Sequence, residues 1–186
     1  MASGNRHPIG MLSRRAFQML APATVLQLCV PMVAHALPTR ELFTLGRNTN
    51  ANVIKYAVRI GKDGHLDVAD PIEAYWLMLA ENGRREELTW TERQLAYGFS
   101  ISNSTPHGCV LRLAACSERE LHVRGVDGVY RAELAIAKQP AALQRVFVFA
   151  ERHALLPSVR YVEISGTNAS GKSVTERILP RRMGRF

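Results

Sequence analysis

Hydrophobic and polar residues alternate with a period of two through most of this chain. From Asn48 the even positions run Asn48, Asn50, Asn52, Ile54, Tyr56, Val58 and Ile60, and the odd positions include Arg47, Thr49, Lys55 and Arg59. A period of two sends one set to each face of a strand, so three asparagines share the apolar face. Gly61-Lys62-Asp63-Gly64 then reads as a hairpin turn, because glycine and aspartate accept the backbone angles such turns need. In the next strand Ile72, Ala74, Trp76 and Met78 line one face, with Glu73, Tyr75, Leu77 and Leu79 on the other. Both faces are largely apolar, which predicts a central strand.

Glu81 to Glu87 reads as a charged turn. Thr89-Trp90-Thr91-Glu92 fits a capping box, with Thr89 capping and Glu92 reaching back. It predicts a short helix from Trp90 to about Ala96, ended by Gly98 in the left-handed region. The competing reading is an alternating strand through Leu95, Tyr97, Phe99 and Ile101. Alternation resumes around Leu111, Leu121, Tyr130 to Ile136, Arg145 to Phe149, Val159 to Ile164 and Ser173 to Leu179. Turns are expected at Gly125-Val126-Asp127-Gly128 and at Lys138-Gln139-Pro140, and a loop through Pro157. Leu37 to Gly46 reads as a lead-in. About nine short strands without long helices argue for a mainly β fold. A single antiparallel barrel of 8–9 strands, closed or nearly closed, is preferred because closure removes exposed edges. The alternative is a β-sandwich.

The N-terminus does not follow this pattern. Ser13-Arg14-Arg15-Ala16-Phe17 precedes an uncharged apolar run from Met19 to Val33, and Ala34-His35-Ala36 supplies a small-x-small cleavage pattern. Paired arginines ahead of an aromatic residue resemble a twin-arginine export signal, an address read by a receptor and not an anchor. Pro22, Gln27 and Pro31 interrupt the run, so no membrane span is expected. The expected organisation is a leader over 1–36, one β-domain over 37–179 and a basic tail over 180–186. Export machinery and a signal peptidase are the partners in transit. The mature protein would reside in the periplasm or outside the cell.

Removing both ends changes the charge argument. The chain has 24 basic and 16 acidic residues, a net charge of +8. Arg6, Arg14 and Arg15 leave with the leader, and Arg181, Arg182 and Arg185 lie in the tail. That leaves 18 basic against 16 acidic residues over 37–179, a net of +2. Nucleic-acid readers carry a clustered basic stripe on the folded body, and this pattern argues against such a partner. Cys109 and Cys116 remain in the β-domain. On one extended strand they lie ~23 Å apart, too far for a disulfide, so both are expected to be free and structural.

Gly166-Thr167-Asn168-Ala169-Ser170-Gly171-Lys172-Ser173 matches the phosphate-loop pattern, anchored on Gly166, Gly171, Lys172 and Ser173. That motif works only between a parallel strand and a helix. Thirteen residues follow Ser173 and Pro180 cuts any helix short, so the stretch reads as a hairpin turn and no nucleotide site is expected. His65, His107, His122 and His153 show no metal-ligand spacing, and zinc would need three or four convergent ligands. No cofactor or metal is expected. The carboxylates Asp67, Asp70, Glu73, Glu81, Glu86, Glu87 and Glu92 could include an acid–base pair, but beside Lys62, Arg84, Arg85 and Arg93 they read as a salt-bridged surface. The asparagine row stands out, since amides at a barrel mouth both donate and accept hydrogen bonds. The candidate ligand-binding set is Asn48, Asn50, Asn52, Tyr56, Trp76, Glu81 and Arg85. The competing role for the asparagines is to cap loop backbone.

Several segments together resemble a known family. They are Leu42-Phe43, Arg47-Asn48-x-Asn50-x-Asn52-Val53-x-x-Tyr56 and Asp70-Pro71-Ile72-Glu73-x-Tyr75-Trp76. To these add Glu81-Asn82-Gly83-Arg84-Arg85-Glu86-x-Leu88, Leu95-Ala96-Tyr97-Gly98, Tyr161-Val162-Glu163, Gly166 and Glu176-Arg177-Ile178. This combination resembles the family called domain of unknown function 4833, over nearly all of residues 41–178. The resemblance implies no activity, cofactor or catalytic residue. It does imply that the phosphate-loop match lies in an ordinary turn. Three functions are weighed: a small-ligand-binding barrel, a carboxylate-dependent hydrolase or isomerase, and an envelope scaffold with a filled core.

Overall fold

Alternation carried through from Thr39 builds one curled β-sheet. The computed structural model describes residues 39–126, 128–153 and 156–179. The leader, its cleavage point after Ala36, the tail 180–186 and the side chain of His153 lie outside the described residues. Within them run β1 (Thr39–Arg47), β2 (Asn50–Arg59), β3 (Ile72–Met78), β4 (Arg84–Glu87), β5 (Phe99–Thr105), β6 (Gly108–Leu113), β7 (Cys116–Val126), β8 (Val129–Ile136), β9 (Gln139–His153), β10 (Leu156–Asn168) and β11 (Ser173–Ile178). A one-turn α-helix (Trp90–Glu92) continuing as a π-turn (Arg93–Tyr97) separates β4 from β5.

The long strand β9 organises the sheet. It pairs antiparallel with β8 through Gln139–Ala142, parallel with β1 through Arg145–Val148, and antiparallel with β10 along most of its length. The resulting path is β4-β3-β2-β1-β9-β8-β7-β6-β5, with β10 and β11 branching from β9. The fold is therefore mainly β, as the alternation predicts. Closure is not made: β4 and β5, the two ends of the path, share no ladder, and the sheet stays open. The helical segment Trp90–Tyr97 joins these two ends, and an α- or π-turn keeps its hydrogen bonds within itself. It can link the two edges but cannot hydrogen-bond them into one ladder.

Inside the curl the even residues of β2 meet the expectation, with Ile54, Tyr56 and Val58 each 0% exposed. Phe43 stacks on Tyr56 with centroids 4.5 Å apart, and Tyr56 meets Phe99 edge-on at 6.2 Å. One aromatic row thus ties β1 and β2 to β5 across the interior. Tyr56 donates its hydroxyl hydrogen bond to the Tyr97 carbonyl at 2.9 Å, so its polar end is satisfied. Each such buried side chain stabilises the fold by about 1.5–3 kcal/mol. These side chains form part of the core cluster.

Other expectations need correction. The presumed lead-in is strand β1, with Phe43 and Leu45 in the core. A bulge between Glu41 and Phe43 breaks its alternation, which hides it from a period-two search. Strand β3 is second from the sheet end, not central, and its outer face is covered by charged neighbours. The charged turn shrinks to Asn82 and Gly83, both at positive φ, and Arg84–Glu87 form β4. The loop expected through Pro157 is strand β10, hairpinned to β9.

The capping box is present: Thr89 Oγ1 accepts from the Glu92 amide, and the Glu92 carboxylate accepts from the Thr89 amide at 2.8 Å. Gly98, however, is extended (φ −70°, ψ 172°) and not left-handed. It is glycine for a different reason: a Cβ there would lie 1.8 Å from the Arg93 carbonyl oxygen, which the π-turn directs at it. The chain also turns at Ala114–Ala115, so Cys109 and Cys116 sit on adjacent strands at opposite ends of a hairpin and not along one strand. Both are free. Burial pushes the Cys109 thiol up to about 11, which keeps it protonated and unreactive at neutral pH.

The phosphate-loop look-alike is a β10–β11 hairpin turn, with Thr167 paired to Ser173. Asn168 Oδ1 accepts from the Ser170 and Lys172 amides at 3.1 and 3.0 Å. Among the described residues no helix is long and apolar enough to cross a membrane, and no three His, Cys, Asp or Glu side chains group as metal ligands.

Candidate functional site: an arginine-lined cleft at the open seam

Where the sheet fails to close, it leaves a cleft. Strand β3 pairs with β2 from Ile72 to Leu77 but with β4 only from Tyr75 onward. Its first three residues therefore have no strand beside them on that side. Across the gap, β5 pairs with β6 alone. The Gly98 carbonyl accepts from the Ala114 amide at 2.8 Å and holds the far wall in place. The space between measures about 510 Å³, within the range of small-molecule sites.

Its chemistry is dominated by guanidinium groups. Arg59, Arg85, Arg93 and Arg112 line the cleft, with Asp70, Glu73 and Glu87 among them. Glu73 is the buried charged residue among the described residues, 6% exposed. Arg85 clamps it bidentately at 3.0 and 2.6 Å, and Arg59 Nε donates to the same carboxylate at 3.4 Å. A carboxylate this buried is stable only when paired. The odd positions of β2, β3 and β4 share the outer face of the sheet, so Arg59, Glu73 and Arg85 meet there by strand geometry. Arg85 also lies over the Tyr75 ring, 3.8 Å from its centroid.

The remaining arginines are held more loosely. Arg59 also pairs with Asp70. Arg93 donates to the Leu88 carbonyl at 3.2 Å and approaches Glu87 at 3.8 Å. Arg112 pairs with Glu120. All four arginine side chains are about 36–45% exposed, so each keeps contact with solvent. A guanidinium carries five N–H donors, and these contacts use one or two of them per residue.

The residues singled out from sequence are distributed differently. Asn48 bridges to β9, donating to the Ala150 carbonyl and accepting from the Ala150 amide, both at 2.9 Å. Asn50 Oδ1 accepts from the Asn52 amide at 2.9 Å, and Asn52 Oδ1 from the Leu79 amide at 3.0 Å. All three amides are thus engaged with backbone. Tyr56 is sealed in the interior. Trp76 Nε1 donates to Glu92 at 3.0 Å, behind the helical turn. Glu81 pairs with Arg84 at 2.7 Å. Of the seven, Arg85 lines the cleft.

Arg59 and Arg112 carry no signal in the sequence, and Glu73 and Arg93 stand there only as members of a salt-bridged surface. One sharper signal is available: Glu73 is an acid inside an otherwise apolar strand, and such an acid must find a cation once the strand is buried. The cation partner comes from β4, which in sequence reads as part of a turn.

No curated protein and no solved structure matches the chain. The family resemblance read from the scattered motifs is borne out. Residues 43–177 match the family described as Domain of unknown function (DUF4833), and the chain belongs to that family.

Proposed function

We propose that the protein is a small-ligand-binding module that takes an anionic ligand in the seam cleft, with Arg59, Arg85, Arg93 and Arg112 as its recognition groups. The observation that carries this reading is Glu73, buried in the cleft between Arg59 and Arg85. A fixed carboxylate orients both guanidiniums before any ligand arrives, and preorganisation lowers the entropic cost of binding. A planar guanidinium matches the geometry of a carboxylate or phosphate. On this reading the sheet is a barrel left open at one seam, not a sandwich, and its ligand sits in the gap and not inside the filled curl.

The enzymatic alternative, a carboxylate-dependent hydrolase or isomerase, needs an acid with a free oxygen in the cleft. Both Glu73 oxygens accept from Arg85, so proton transfer there would first have to break a bidentate pair, while the other two acids of the cleft, Asp70 and Glu87, are exposed and each faces an arginine. The reading also keeps residues 1–36 as a twin-arginine leader removed after Ala36, with the mature chain exported. Two free cysteines suit a chain folded before export.

The test is native mass spectrometry on protein purified from its own cell envelope, compared with the denatured mass. The expected result is a mature chain starting at Leu37 with a small excess mass, lost in Arg85→Ala. A bare native mass, with no thermal shift from a panel of small carboxylates and phosphates, would leave the scaffold reading standing instead.

A further inference from the structure

Two buried side-chain atoms have no hydrogen-bond partner among the described residues: Nε of Arg47 and the hydroxyl of Tyr97. Buried polar atoms are almost always paired, and an exception points to a missing water, ion or ligand. These two belong to side chains in direct contact. The Arg47 guanidinium lies 5.0 Å from the Tyr97 ring centroid and 6.0 Å from that of Trp76, at the end of β1 where Arg47 faces Asn50 in the ladder.

The surroundings are rigid. Tyr97 is 5% exposed and meets Trp76 edge-on at 5.5 Å. Trp76 is fixed by its hydrogen bond to Glu92, which the capping box holds in turn. Burial opposes ionisation of Glu92, but the bonds from Thr89 and Trp76, with the nearby charge of Arg47 adding to them, outweigh it and hold the carboxyl below its usual range. Glu92 is thus already occupied by Thr89 and Trp76. The arginines of β2 to β7 form ion pairs with carboxylates, whereas Arg47, among the described residues, is held against two aromatic rings and feels Glu92 only through its charge.

We infer that Arg47 and Tyr97 form an oxyanion-binding site, separate from the four seam arginines although Tyr97 also lines their cleft, that receives a carboxylate or phosphate group of a small ligand. Arg47 supplies charge and its planar fork of donors, and Tyr97 donates one O–H bond. The rings of Trp76 and Tyr97 hold the guanidinium in place, so its donors need no reordering on binding. The charge of Arg47 also acts on Tyr97, pulling its hydroxyl toward ionisation against the larger opposing effect of burial. The phenol therefore stays protonated and remains a donor at neutral pH.

Trp76 reports on this site, because the chain has two tryptophans and the other, Trp90, is exposed and replaceable. In the Trp90→Phe background, Trp76 emission is followed while inorganic phosphate or succinate is added at constant ionic strength. A saturable change in either arm supports the site, and the arm with the lower midpoint assigns phosphate or carboxylate. Tyr97→Phe, which keeps the ring, is expected to weaken binding about tenfold, the worth of one hydrogen bond to a charged group. Arg47→Met, which keeps an apolar stem on the rings, abolishes the response, and Arg47→Lys retains a weaker one. Arg85→Ala leaves it unchanged, which separates this site from the seam. No saturable change in either arm, or equal affinity in Tyr97→Phe, would overturn the inference and assign the two atoms to ordered water.

Discussion

The interior of the curled sheet and its open seam use neighbouring residues of the same strands for opposite purposes. Inside, Ile54, Tyr56 and Val58 of β2 are wholly buried and satisfied by packing and one hydrogen bond. One residue on, Arg59 points the other way and meets Glu73 and Asp70 in the cleft. Burial is equally deep for Tyr56 and nearly so for Glu73, but the energetics differ. Burying Tyr56 removes apolar area from water at a gain. Burying Glu73 costs desolvation that its arginines roughly offset and need not exceed. A fold gains little from such a cluster, so stability does not account for its place at the seam between β4 and β5.

The largest effect should come from the interior. Tyr56→Ala removes the ring that links Phe43 and Phe99 and leaves a cavity, a loss of about 4 kcal/mol by the usual range for large-to-alanine changes. Urea denaturation followed by circular dichroism measures it. Tyr56→Phe should lose only about 1 kcal/mol, the single hydrogen bond to Tyr97. If the two variants were equally stable, the ring would not be the keystone described here.

At the seam the same measurement should separate stability from binding. Glu73→Ala removes the buried charge and frees Arg59 and Arg85, which are exposed enough to be rehydrated, and should change stability by less than about 1 kcal/mol. Arg85→Ala leaves the buried carboxylate with Arg59 alone and should cost about 3 kcal/mol while abolishing ligand binding. Double-mutant analysis of the two is expected to show strong coupling. Additive losses would mean that the bidentate contact is not made in solution.

How much of this contrast was legible in the sequence follows from the range of each signal. Alternation is local, so the faces of β2 and β8 could be read residue by residue. The capping box at Thr89 and Glu92 spans four residues and was equally readable. Strand β1 was not, because the bulge at Glu41–Phe43 shifts its period. Openness of the sheet was also hidden, since it depends on whether β4 and β5 meet, and these are the ends of a path that runs through the parallel pairing of β1 with β9, about a hundred residues apart. The asparagine row showed its residue types but not their partners: Ala150, which Asn48 bonds, lies on that same distant strand. The cleft was missed for the same reason, because Arg59, Glu73 and Arg85 come from three strands and meet only once register is set.

An ion pair whose two residues do not line the cleft offers a control. Arg119 clamps Glu176 at 3.2 and 2.6 Å, and the Ala137 amide donates to the same carboxylate at 2.8 Å. The Arg119 bonds hold the Glu176 carboxyl below its usual range, with the Ala137 amide adding to them against desolvation. A carboxyl depressed in the folded state adds stability that is fully present above its unfolded pKa of about 4.3 and is lost as pH falls through the lower folded value. Glu176→Gln should therefore be less stable than the parent by about 1 kcal/mol near neutral pH, with the gap closing below about pH 4. Ligand binding at the seam should not change. A gap that persists at low pH would mean that packing and not charge is lost.

The smallest expected effect concerns the residues that look most functional in sequence. In a working phosphate loop Lys172 would be indispensable, yet here its side chain is exposed at a hairpin tip. Lys172→Ala should change stability by less than ~0.5 kcal/mol, the ordinary range for a surface substitution, and leave ligand binding intact. Asn168 is the residue that the turn depends on, because its Oδ1 gathers the Ser170 and Lys172 amides and the Ser170 hydroxyl. Asn168→Ala should cost about 1 kcal/mol. The order of these two losses is the informative quantity, since a nucleotide site would rank Lys172 first and a structural turn ranks Asn168 first. Thermal melts of both variants, with and without ATP and magnesium, decide it: an ATP-induced shift that Lys172→Ala abolishes would return the stretch to the phosphate-binding class.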